Sequence, residues 1–174
     1  MNALTLDARL WETASKNGAD RSEVADLIAR VAEEAAHHLP SGFTYLNILT
    51  SPVAAEWVIP ETGVMGITYS DEYISMTFDA ALPYGYDATK KALRATVFHE
   101  MVHAVTFAHD PWRADAMFGA VSEGLATVFE REYAGSGPPW GQYEPDEVMK
   151  QWYEELKKLP ASEEKDRAYF FDHP

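Results

Sequence analysis

The spacing of apolar positions changes twice along the chain. Leu4 to Lys16 carries them at helical intervals and stops at Asn17-Gly18. Asp20-Arg21-Ser22-Glu23 then has the form of a capping box, opening a second helix that runs to about Leu39 before Pro40-Ser41-Gly42 breaks it. Beyond that point the period shortens to two. Phe43 to Thr50 suits a strand, while Gly63 to Tyr69 and Tyr73 to Asp79, joined through Ser70-Asp71-Glu72, suit a hairpin. In the second hairpin strand Ile74, Met76 and Phe78 alternate with Tyr73, Ser75 and Thr77, so one face should pack on a helix. Helical spacing returns from about Ala88 to Ala108 and again from Ala116 to Phe129. Ala134 to Tyr143 is rich in Gly and Pro and reads as a loop. Pro145 at a helix start then opens a charged amphipathic helix to about Leu159, expected to cover the core or form one wall of a cleft. The order of elements predicts an α+β fold, with a small mixed or antiparallel sheet packed on a long helix and flanked by N- and C-terminal helices. With no internal repeat, low-complexity tract or composition break, one domain over residues 1–174 is expected.

Inside the apolar stretch from Ala88 to Ala108 lies one HExxH motif, His99-Glu100-Met101-Val102-His103. Residues four apart stack on one face of an α-helix, so both imidazoles can reach the same ion. Glu100 is offset from that face, where its carboxylate can meet a water beside the ion as a general base without taking a coordination position. A shuffled chain of this composition would contain the motif by chance about 2% of the time, which lifts a short pattern above background. Its neighbours are apolar on both sides, so unpaired imidazoles and a carboxylate there would cost several kcal/mol (order of magnitude) in desolvation. A bound metal ion satisfies them.

Two histidines do not complete a catalytic zinc site, which takes three protein ligands and leaves the fourth position to water. Glu123 is one candidate for the third, as the sole charged residue between Ala116 and Phe129. Gly119 and Gly124 flank it on the expected helix, and glycine there suggests that another backbone comes close. His109 is the other candidate, because His99 to His109 fits HExxHxxGxxH except that Thr106 stands where the pattern has glycine. That exception matters. The glycine lets the chain leave the helix through a left-handed conformation that a β-branched Thr disfavours. Asp110-Pro111 also follows at once, as an ordinary helix stop with His109 in the last turn, so the residues favour Glu123.

HEMVH followed by SEGLA, with nineteen residues between His103 and Glu123, resembles the gluzincin group of zinc metallopeptidases, and within it the family known as predicted zinc-dependent proteases. The resemblance covers roughly Val58 to Glu130. It implies a zincin-like peptidase domain in which His99, His103 and Glu123 bind Zn(2+), Glu100 is the catalytic base and the substrate is a peptide or protein. Many gluzincins carry an acidic residue four positions after the ligand Glu to orient a histidine. Here that position is Thr127.

Composition narrows the alternatives. The chain has no Cys, which excludes disulfides and thiolate ligation and leaves His and carboxylate to hold any metal. A net charge of −14 with scattered basic residues argues against nucleic acid as a partner. No apolar run reaches the roughly 18 residues that would span a membrane, and Met1 to Thr5 lacks the basic and apolar regions of a signal peptide, so a cytoplasmic location is expected. By analogy with zinc peptidases the Tyr73–Phe78 strand could bind a substrate backbone, or it could lie in the sheet interior. Trp112, Trp140, Trp152 and Tyr143 read as packing residues, and His37-His38 as a helix terminus. Two other functions fit the same motif: a metal-stabilised interaction module without activity, and a metallohydrolase of non-peptide amides or esters. An intact Glu100 favours an enzyme, since a purely structural site needs no base.

Overall fold

The structure is a computed structural model that describes residues 3–40, 46–109, 116–135, 141 and 145–158. Its elements run α1 (Ala3–Lys16), α2 (Arg21–Ala36), β1 (Asn47–Val53), a 3-10 turn (Ala55–Trp57), β2 (Val64–Ser70), β3 (Tyr73–Asp79), α3 (Tyr86–His109), α4 (Ala116–Tyr133) and α5 (Asp146–Leu156). This is the expected α+β class. Gly18 ends α1 in the left-handed conformation at φ 101°, which a residue with a Cβ adopts only at a cost. Asp20 caps α2 as its sequence suggests, its carboxylate accepting from the Glu23 backbone N–H at 2.9 Å.

The sheet has the order β1-β3-β2, with β1 parallel and β2 antiparallel to β3. One expectation changes here. The first strand spans Asn47–Val53, beyond the expected limit at Thr50, and Phe43 to Tyr45 lie outside the described residues. Pro52 is tolerated because β1 is an outer strand, where a missing N–H need cost no ladder bond. For Tyr73–Phe78, which the sequence left either as a substrate-binding strand or as an interior one, the interior position holds. As the central strand it is paired on both sides, so its backbone has no free edge for a substrate.

The alternation in β3 holds. Ile74, Met76 and Phe78 are fully buried, and the β2 residues opposite them, Thr68, Gly66 and Val64, share their face. That face packs on α3, while Trp11 of α1 meets Phe78 edge-on at 5.7 Å. Truncating Phe78 to Ala would cost about 3–5 kcal/mol, the usual range for a large buried aromatic. Between β3 and α3 the chain turns through Leu82 at φ 49° and Gly85 at φ 82°. Leu82 keeps its left-handed backbone because its side chain is buried in the core.

Helix α3 buries Leu93, Val97, Phe98, Met101 and Ala104 among others, because it lies between the sheet, α2 and α4, while the face of His99 and His103 is only partly buried. Arg94 ties these helices together. Its two terminal nitrogens each donate to a Glu34 oxygen on α2 at 2.6 Å, and its Nε–H donates to the Ala134 carbonyl just past α4 at 3.1 Å. Helix α5 departs from expectation. It starts at Asp146 with Pro145 as its cap, and none of its residues is buried; Trp152 and Tyr153 are exposed, so it does not cover the core. Leu159 lies outside the described residues. No helix among the described residues is long and apolar enough to cross a membrane.

Candidate metal centre

Helix α3 is continuous through the HExxH segment, which places His99 and His103 one turn apart with ring centroids 4.9 Å from each other. Opposite them, Glu123 projects from α4. His99 Nε2 lies 3.2 Å from Glu123 Oε2, and His103 Nε2 lies 3.4 Å from Glu123 Oε1. One ligand atom from each of the three residues falls within 4.8 Å of the others, so the group can hold a metal ion. Ligands about 2.0–2.2 Å from a tetrahedral zinc stand roughly 3.3–3.6 Å apart, close to the two histidine–glutamate separations, one to each carboxylate oxygen. The donor types, two imidazoles and a carboxylate, are those of an open site.

The remaining ring nitrogens have partners of their own. His99 Nδ1 lies 3.3 Å from the Glu130 carboxylate and His103 Nδ1 lies 3.0 Å from Ser122 Oγ. With a metal bound and each Nδ1–H donating outward, both Nε2 lone pairs would be available to the ion, the tautomer that a metal ligand requires; without the ion, Nε2–H groups face Glu123. Glu130 is 4% exposed and follows Glu123 by two helical turns, so one face of α4 presents both carboxylates to α3. Glu130, not the residue at position 127, is thus the acidic partner of His99 Nδ1. Ser122 is buried on the same helix.

The charges reinforce this arrangement. Burial disfavours protonated His99, but hydrogen bonds to Glu123 and Glu130 outweigh it and, in the metal-free protein, raise its pKa from 6.5 to about 10. Burial would likewise raise Glu123, yet hydrogen bonds from His103 and His99 hold it well below the usual carboxylate range. The carboxylates therefore hold positive charge between the helices. A divalent cation can take the place of the proton.

Glu100 stands apart from the ligand group. It is 6% exposed and turned toward β2, where Thr68 Oγ1 donates to its Oε2 at 2.7 Å. Its carboxylate lies over Gly66, such that a Cβ built there would come within 2.6 Å of Oε1 and 2.7 Å of Cδ. Its negative charge nonetheless reaches His99, stabilising the protonated ring.

His109 is not brought to the group. It is exposed in the last turn of the unbroken helix, its Nδ1–H donating to the Val105 carbonyl at 2.9 Å, and Thr106 is helical with its hydroxyl on the Val102 carbonyl at 2.9 Å. His37 caps α2 and His38 stacks on Tyr133 at 4.3 Å. Trp112, Trp140, Tyr143 and His173 lie outside the described residues. The close approach suggested at Gly124 is not made there, since a Cβ would meet nothing within 4 Å. Gly124 is on the exposed side of α4, whereas Ser122, Ala126 and Glu130 form the buried side.

Gly66, Thr68, Ser122 and Glu130 escaped the reading of the sequence. Two of them had a signal: a glycine inside an alternating strand marks a close contact, and Glu130 shares a helical face with Glu123. Residues 24–172 match the family described as predicted Zn-dependent protease (DUF2268). No curated protein and no solved structure matches the chain.

Proposed function

The chain belongs to the predicted Zn-dependent protease family, and from that premise we propose that it is a zinc peptidase with His99, His103 and Glu123 as ligands and Glu100 as general base. The observation that carries the proposal is the convergence of both histidine Nε2 atoms on the two Glu123 oxygens, with Glu100 on the same helix between the two histidines and its carboxylate held by β2. Zinc bound there would supply Lewis acidity to a peptide carbonyl and to a water. Glu100 takes a proton from the water as its oxygen adds to the carbonyl carbon. It returns that proton to the amine nitrogen as the C–N bond breaks, so the base is regenerated. Glu130 and Ser122 keep the two imidazoles in register through the cycle.

With β3 enclosed, the outer strand beside Glu100 is β2, and an extended substrate would pair along it rather than along Tyr73–Phe78. Glu123 has 51% of its side chain exposed, which supports an open fourth coordination position rather than a closed structural site.

A thermal-shift assay with acetohydroxamate, which ligates zinc through an open position, tests the reading. The zinc-loaded protein should melt at higher temperature with the hydroxamate, and the chelated protein should not respond. No shift in the loaded form would favour the inert metal-stabilised module. A shift combined with no cleavage of a diverse peptide library would favour a hydrolase of non-peptide amides or esters.

A further inference from the structure

The inner face of β2 is shaped around Glu100, and we propose that Gly66 and Thr68 are positioning residues for this base. The inference rests on the peptidase reading above. Residues 64, 66 and 68 point to one side of the strand, toward α3. The first is a buried valine that packs in the core, and the next two leave a slot with a hydroxyl at its end. A side chain at position 66 would have to occupy the volume of the Glu100 carboxylate, because a Cβ there collides with Cγ, Cδ and Oε1 together. Glycine weakens a strand interior, so its place here is explained by what lies against it.

Thr68 fixes the orientation within that slot. Its Oγ1 lies 2.7 Å from Glu100 Oε2 and 3.0 Å from the Glu100 backbone carbonyl, but a hydroxyl has one proton to give. The carboxylate oxygen is the nearer acceptor, so the proton goes to Oε2, and Oε1, held against Gly66, receives no hydrogen bond from the described residues. A β-branched residue on a strand has a restricted χ1, which aims this hydroxyl with little freedom. Strand β2 thereby sets the position of the base while α3 carries it. Zinc affinity depends on neither residue, since both touch Glu100 and neither touches His99, His103 or Glu123.

The test uses Thr68→Val, Thr68→Ser and Gly66→Ala in the full chain, each with Glu100 present and with Glu100→Ala. Thr68→Val and Gly66→Ala should keep about one zinc per chain and lose on the order of 10- to 100-fold in kcat on a quenched-fluorescent peptide library, with KM little changed. Thr68→Ser, which retains the hydroxyl, should recover most of that loss. Melting temperatures give a readout independent of activity. Gly66→Ala and Thr68→Val should each lower Tm when Glu100 is present and have little effect in the Glu100→Ala background. Equal Tm losses in both backgrounds, or wild-type kcat in Thr68→Val alongside an inactive Glu100→Gln, would overturn the positioning role. An active Glu100→Gln would instead overturn the peptidase reading, and the Tm comparison would still decide whether β2 holds Glu100.

Discussion

Glu100 and Glu123 are the same residue type on neighbouring helices, yet their surroundings are opposite. Glu100 is enclosed by β2 with one oxygen on a threonine and no histidine within the hydrogen bonds it makes, whereas Glu123 has half its side chain in solvent and both oxygens on histidines. The difference matches two tasks. A ligand must be reachable by the ion and the substrate, and its position is set by the metal as much as by the protein. A base must be held by the protein alone, because a displacement of about 1 Å can cost on the order of 100-fold in rate.

The comparison breaks most severely if the histidines between the two carboxylates are removed. His99→Ala and His103→Ala should each lose zinc and hydrolysis together, and metal analysis beside a peptide-cleavage assay checks both at once. Metal content near wild type in both variants would contradict the assignment. A smaller effect is expected one layer out. Glu130→Ala should weaken zinc binding by about 10- to 100-fold in a chelator competition, and Ser122→Ala by less, since it removes a neutral partner of one imidazole rather than a buried carboxylate. Equal and negligible effects would mean that Nδ1 contacts do not orient the rings.

The metal-free protein sharpens the contrast through pH. His99 has a raised folded pKa, so its contribution to stability is complete below its ordinary value of 6.5 and is lost as pH rises through about 10. Glu123 has a depressed pKa, so its contribution is complete above 4.5 and is lost on acidification. The chelated wild type should therefore exceed chelated His99→Ala in melting temperature most clearly between about pH 4.5 and 6.5, with the gap closing toward pH 10. A gap that widens with pH would reverse the sign of the coupling. The smallest effect belongs to His109→Ala, which should leave zinc affinity and hydrolysis within about twofold of wild type, because the helix runs unbroken to that residue and its ring bonds its own backbone.

What the sequence revealed follows the range of each signal. The helical faces, the β2–β3 hairpin and the Ile74-Met76-Phe78 core stripe are local periodicities, and the ligand group joins two local motifs whose long helices had to pack somewhere. Strand order is different. Whether β3 lies at an edge or in the middle depends on where β1 arrives from across the sheet, which no local pattern records. Helix α5 shows the converse limit, since an amphipathic pattern states that a face can be buried but not that it is. Gly66 and Glu130 were legible in principle. Gly124 adjoins Glu123 in sequence but makes no close contact, while the glycine that does, Gly66, is far away in sequence and meets Glu100 only in the folded chain.

The most direct test of the division between holding the metal and moving the proton is the zinc content of two isosteric variants, Glu100→Gln and Glu123→Gln, purified under metal-replete conditions and measured against wild type. The account predicts about one equivalent of zinc in Glu100→Gln, since its neutral amide leaves the two imidazoles and Glu123 untouched, and a severe loss in Glu123→Gln, which removes the anionic oxygen between them. Zinc lost from Glu100→Gln and retained in Glu123→Gln would contradict it.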